Sequence, residues 1–195
     1  MMREIPDRGS EPIVCVHDRP GGAHWFAEQI DTLGARPVEV EDVLDIDDDA
    51  SLARWLRHVV GEIGSDAPVH VLATGPAAYA AVVLAARYPD LVRSLLLGDP
   101  RIPGDTEEYR DLLASVRTPT LVIASAIEGA SDRELAVPQS IAGGIDNGVF
   151  VVIDGVAVPA HRERGSSFDE WATSFTVIAE GLGALEPRRQ EKADA

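Results

Sequence analysis

Six short runs of aliphatic and β-branched residues recur along this chain, at 12–17, 36–41, 69–73, 92–98, 119–125 and 149–153. No two are close enough to be joined by a hairpin turn. The stretches between them carry helical periodicity instead. Trp25, Phe26, Ile30 and Leu33 recur at helical spacing before Gly34, and similar patterns cover 51–63, 107–115, part of 132–142 and 168–182. An Ala-rich helix follows 69–73 and runs through Arg87, with Pro89 closing it. Parallel neighbours in a sheet need crossover connections of this length, whereas antiparallel ones do not. The pattern therefore predicts an α/β fold, a parallel six-stranded sheet between two layers of helices.

Neither repeats nor a Gly/Ser linker divide the chain, so 12–184 reads as one domain, with 1–11 extended or disordered and 185–195 a polar flexible tail. The formal net charge is −16, from 33 acidic and 17 basic residues. Such a surface repels phosphate backbones and anionic headgroups, which argues against nucleic acid and membrane partners. No apolar run is long enough to span a bilayer, and 1–10 lacks the apolar core of a signal peptide. A single cysteine, Cys15, fits a reducing compartment, so a soluble cytoplasmic protein is expected.

Ligands of open parallel sheets bind at the carboxyl ends of the strands. The loops after His17, Ala73, Ser125 and Asp154 therefore matter most. The first, Asp18-Arg-Pro-Gly-Gly-Ala, is not a dinucleotide fingerprint, and no Walker loop or metal-ligand spacing occurs, so no cofactor and no metal are expected. What the loops resemble is the α/β-hydrolase family. Residues 12–33 look like its strand ending in His-Gly, the oxyanion loop and the helix after it. Val69 and its successors through Pro100 (VHVLATGPAAYAAVVLAARYPDLVRSLLLGDP) resemble the nucleophile strand, elbow, helix and next strand. Thr118-Pro-Thr-Leu-Val-Ile123 resembles the strand that carries the acid, and 151–168 the segment that carries the histidine. The resemblance implies the strand order 2-1-3-4-5-6, a family core pruned of its amino-terminal strands and of the cap usually inserted in the region of 99–119.

The same resemblance shows where this chain departs. The family elbow G-x-S-x-G presents a serine on a strained strand-to-helix turn. The corresponding residues are Ala73-Thr-Gly-Pro-Ala77, which put Gly75 on the nucleophile. Gly155-Val-Ala-Val158 puts Val158 on the base, Glu128 matches the acid, and Asp18 replaces the oxyanion-loop glycine. Glycine has no attacking atom, valine accepts no proton, and a carboxylate repels an oxyanion.

Each remaining candidate has a plain structural alternative. Cys15 is expected as a buried hydrophobe, and His58 and His70 as structural groups. Thr74, beside the elbow tip, lacks an evident base. His17 and His24 flank the old oxyanion loop as ligand-contacting or proton-transferring groups; in the plain reading His17 packs at the strand end and bonds backbone. Arg19 either binds an anion or pairs with Asp18 or Glu28. Asp99 is either an acid or the cap of a turn. His161 is expected at the surface, and Trp25, Trp55 and Trp171 in the core; the acidic run from Asp45 to Asp49 either binds a cation or is a solvated loop, with Asp49 or Ala50-Ser51 capping the helix after it.

The reading that follows is a non-catalytic α/β-hydrolase-fold protein serving as a binding, regulatory or assembly module for a protein or small-molecule ligand. Its ligand contacts would be His17, Asp18, Arg19, His24, Thr74 and Gly75. A second reading is a cyclase, lyase or isomerase using His17, Glu128 or Asp99 as acid and base, with a closed apolar pocket rather than a shallow crevice. A third is an esterase-like hydrolase with a displaced triad. The uncharged run Val149-Phe-Val-Val-Ile153 falls on a sheet edge in the family order and predicts a homodimer there, or a monomer if the 132–142 segment or the final helix shields that edge. The opposite edge, 37–41, carries a proline and two glutamates.

Overall fold

The computed structural model describes residues 11–64, 66–104, 106–127 and 132–185. In chain order the elements are β1 (Ile13–Val16), α1 (Gly22–Trp25), α2 (Ala27–Leu33), β2 (Arg36–Val38), α3 (Asp49–Ile63), β3 (Val69–Thr74) and α4 (Pro76–Arg87). They continue with β4 (Val92–Gly98), α5 (Glu107–Ser115), β5 (Thr120–Ala126), α6 (Asp132–Gly144), β6 (Gly148–Asp154), α7 (Ala160–Glu163) and α8 (Gly165–Leu185). The six strands form one sheet in the order β2-β1-β3-β4-β5-β6, and every neighbouring pair is parallel. The α/β class and the strand order are those expected from sequence.

Alternation along the strands builds two cores. Val14, Val16, Val71, Ala73, Leu95, Leu97 and Val122 point to the face covered by α3, α4, α5 and α6. Cys15, Leu72, Leu96, Leu121, Ile123 and Ile153 point to the other, where Phe26, Phe168, Ala172 and Phe175 meet them. Burial on both faces explains why β3, β4 and β5 read as continuous apolar runs. Cys15 lies inside the second core, 1% exposed. Burial first, and the Asp169 charge second, push its thiol up to about 12. Thiol reagents should therefore leave the native protein unmodified and label Cys15 only in denaturant; stoichiometric labelling of the native form would contradict its burial.

Several local expectations change. The first helix is broken at Phe26 (φ −106°), between α1 and α2. Strand β2 stops at Val38, so neither glutamate of 37–41 belongs to the edge. Glu39 instead turns back and accepts from the amides of Gly21, Gly22 and Ala23. The cap of α3 is Asp48, whose carboxylate accepts from Ala50 N and Ser51 N, because its extended backbone aims the side chain at those amides. Glu11, expected in the extended or disordered segment 1–11, is held: its carboxylate takes two bonds from Arg93, and its amide donates to Glu180.

Trp55 is buried as expected, but Trp171 is 48% exposed on the outer side of α8, and Trp25 is half-buried. His161, expected at the surface, is 1% exposed and sits among Trp25, Phe26 and Phe168, with ring centroids 5.1, 5.2 and 6.0 Å away. Residues 158–163 turn into α7, which directs this side chain inward. Among the described residues no helix is long and apolar enough to cross a membrane.

Candidate functional site

Strand β3 ends at Thr74 and α4 starts at Pro76, so Gly75 alone makes the turn, at φ 57° and ψ −130°. A side chain is strained at this positive φ, whereas glycine adopts it freely. The turn is fastened to the end of β4. Gly75 N donates to Gly98 O (3.1 Å), and Gly75 O accepts from Arg101 N (3.0 Å) and Ala78 N (3.2 Å). A Cβ added at Gly75 would meet nothing within 4 Å, so the tip opens onto free space. Pro76 carries no N–H, so the amide that would follow the tip has no hydrogen to donate. That absence is legible in the sequence itself, and the resemblance to the family elbow overlooks it.

Gly98 provides the close fit beneath the turn. A Cβ there would lie 3.0 Å from Thr74 Cγ2 and 3.1 Å from Phe168 Cε2. The next residue, Asp99, is the one non-glycine with positive φ (43°) among the described residues. Its Oδ1 accepts from Ser125 N (2.6 Å) and Ser125 Oγ (2.8 Å), and its Oδ2 accepts from Ala160 N (2.8 Å). Asp99 thus ties the ends of β4 and β5 to the start of α7. Its carboxylate is committed to these bonds, which favours the structural reading of this residue.

The opposite wall is built on the end of β1. His17 is 6% exposed and stacks on Trp25 at 5.0 Å with an 8° interplanar angle. Its Nδ1 lies 3.0 Å from Asp18 Oδ1, although the alignment is not that of a formed hydrogen bond. Arg19 donates twice to Asp18 Oδ2, at 3.1 and 2.7 Å. Burial would raise the Asp18 pKa, but His17 and Arg19 outweigh it and hold the carboxyl at about 2. The expected pairing of Arg19 with Asp18 is what the structure contains. Trp25 Nε1 donates to Thr74 Oγ1 (2.9 Å), Arg162 lies over the Trp25 ring at 5.1 Å, and Trp55 Nε1 donates to His17 O (3.0 Å).

These walls enclose a cleft of about 950 Å³ at the carboxyl ends of the strands. His17, Asp18, Arg19, Thr74, Gly75, Asp99 and Val158 all line it, together with Trp25, Ile102, Ile127, Val137 and Val156. It is neither sealed nor flat, intermediate between the closed pocket and the shallow crevice set out as alternatives. His24 is exposed and does not reach the cleft, because α1 turns it outward. Glu128 lies outside the described residues. Among the described residues no group of three or more His, Cys, Asp or Glu side chains could hold a metal ion. Asp45 Oδ1 accepts from Asp47 N and Asp48 caps α3, so two members of the acidic run serve the backbone.

A parallel sheet in this order, with a one-residue turn between its third strand and the following helix, defines the core of the α/β-hydrolase fold. No family model and no curated protein matches the sequence. The likeness is in structure. An alpha/beta hydrolase from the metagenome of sediments of the Mar Chica lagoon, Morocco, is similar with a TM-score of 0.68 and 15% identity, over 88% of this chain and 92% of that one. A serine hydrolase involved in carbazole degradation is similar with a TM-score of 0.67 and 14% identity, over 87% and 92%. So is a putative lipase from Acinetobacter baumannii, with a TM-score of 0.67 and 12% identity, over 90% and 86%. Likeness at this level of identity establishes the fold alone.

Proposed function

We propose that this chain is a non-catalytic α/β-hydrolase-fold protein whose cleft binds an apolar, uncharged small molecule. The observation that carries the reading is the turn at Gly75. Its backbone has the strained conformation that would present a nucleophile, yet the residue has no side chain and the next one has no amide hydrogen. Val158, on the base position of the family pattern, lines the same cleft and accepts no proton. The β4–β5 connection carries only the nine-residue α5 as regular structure among its described residues, which supports the absence of a cap.

Ligand chemistry follows from what remains. Cavities of about 300–1,000 Å³ with apolar walls are typical of small-molecule sites, and this one is at the upper end. Asp18 and Asp99 are spent on neighbours, so neither of these carboxylates is free to recruit a cation, while Glu134 and Arg101 add one group of each sign to a mainly apolar wall. The −16 surface disfavours approach of an anion.

A neutral solvatochromic dye such as Nile red should bind and brighten, and Ala157→Trp, which fills the cleft from an exposed lining position, should abolish the signal. Para-nitrophenyl butyrate should not turn over above the buffer rate. Ester turnover accompanied by a fluorophosphonate adduct would overturn the non-catalytic reading, and dye binding unaffected by Ala157→Trp would remove the cleft from it.

A second reading, an acid–base enzyme, draws on the His17–Asp18 contact at the cleft wall. A carboxylate beside an imidazole can orient it for proton transfer without any nucleophile. In that case a substrate would be converted in the cleft and His17→Gln would stop the conversion without stopping binding.

A further inference from the structure

The second candidate surface lies away from the cleft, where α8 meets the outer edge of the sheet. Strand β6 pairs with β5 on one side only and ends the sheet. From Gly148 to Ile153 it carries no charge and no proline, in a chain with 26% charged residues. The opposite edge, β2, is three residues long and includes Pro37 and Arg36. Proteins guard sheet edges with such devices, and β6 has only the charge of its last residue, Asp154.

Helix α8 packs over β4 and β5, beside this edge. Phe168, Ala172, Phe175 and Ala179 point into the core, while Asp169 bonds Gln29 and Thr32 of α2. At 100° per residue these assign the inward face and the flank that meets α2. Trp171, Ile178 and Leu182, spaced by seven and four, share the remaining flank, which faces the β6 side. They are 48%, 57% and 47% exposed. Val149 and Val151 lie on the same face of β6, since Val151 and Ile153 pack in the core that α8 covers, and Val149 is 43% exposed. Of nine large hydrophobic residues left exposed among the described residues, four fall on this one face.

We infer that this face is the interface of a two-fold homodimer in which the β6 edges pair antiparallel and the α8 stripes pack together. The occupant is a second copy because the edge is complementary to itself. Antiparallel pairing brings the exposed Asp154 at one end of β6 to the partner's opposite end, where Arg117, already paired with Asp146, is 72% exposed and can bridge both carboxylates. The 21-residue α8 makes the face about 30 Å long, and with the adjoining strand about 20 Å wide. That is roughly 600 Å² per copy, near the lower limit of stable interfaces. Elsewhere two surfaces of net charge −16 repel, so association is confined to the uncharged face and strengthens as salt screens the repulsion.

Sedimentation of the full chain tests this. The expected result is a dimer whose dissociation constant falls as salt is raised, with protection of the β6 amides from hydrogen exchange rising with protein concentration. Val149→Lys on the strand and Ile178→Glu on the helix, made separately, should each weaken association roughly 100-fold or more with unchanged circular dichroism. A monomer at high protein and high salt, or a dimer that ignores both substitutions, overturns the inference. So does a chain that dimerises only after removal of 186–195, which would identify that segment as the occupant.

Discussion

Gly75→Ser will fold and will not hydrolyse esters. A Cβ at this position meets nothing within 4 Å, so the only penalty is the backbone at φ 57°, about 1–2 kcal/mol. The new hydroxyl would stand where the elbow presents it, but activation requires a base. Val158 lines the same cleft, 68% exposed and without a proton acceptor. Pro76 offers no amide to a developing oxyanion. In an intact triad, loss of one member lowers kcat by roughly 10⁴–10⁶, and here base and amide are both wanting. The measurement is fluorophosphonate labelling by intact mass together with ester turnover, for the single variant and for Gly75→Ser combined with Val158→His and Pro76→Gly. Labelling is expected only in the combined variant. An active single variant would mean that another group, His17 foremost, acts as base, and would turn the reading toward a displaced triad.

The largest effect of acid on stability is expected from His161. Burial lowers its pKa to about 4, with Arg162 and His17 acting in the same direction and the Trp25 backbone opposing. Neither ring nitrogen makes a well-formed hydrogen bond. As pH falls below the ordinary histidine value of about 6.5, the unfolded chain takes up a proton that the folded chain refuses. Stability contributed by the neutral ring is thus complete above that value. It is lost on descending to about 4, and nothing further is lost below, where both states are protonated. The loss is about 3 kcal/mol.

Asp18 acts in a lower window. Its depressed pKa of about 2 gives stability above its ordinary value of 3.8 that disappears only as pH falls from there to about 2. His70, also lowered by burial first, contributes in the same direction as His161. The comparison must therefore be between the native chain and His161→Phe, which keeps the aromatic packing. Urea midpoints at about pH 7 and about pH 4.5 should fall steeply for the native chain and much less for the variant. Equal slopes would place the acid sensitivity elsewhere.

How much of this was legible beforehand differs between the frame and the site. Leu72, Leu96 and Leu121 announce β3, β4 and β5 because a strand covered on both faces must be apolar at every position. The spacing between runs forces parallel connection, and the family likeness supplies the order that the structure shows. Gly75, Val158, Asp18 and Thr74 were identifiable as cleft residues since each lies at or within a few residues of the end of a strand, where chain position dictates place. Pro76 was equally visible, because a missing amide hydrogen is a property of the residue type.

What the tertiary structure alone decided concerns side chains whose surroundings come from distant segments. His161 is buried because Trp25 and Phe26, from α1 and its end, close over it from more than 130 positions away. His24, one residue before Trp25, points to solvent, as helical rotation separates neighbours by 100°. Trp171 reads as core from its apolar character but lies on the flank of α8 that nothing in the described chain covers. Glu39 leaves the sheet edge to bind three amides of a loop that sequence places 16–18 residues earlier. Periodicity reports which side of an element is apolar, and that determined the sheet and its layers. Which neighbour meets that side depends on the packing of separate elements, and that alone made the cleft and the exposed stripe on α8.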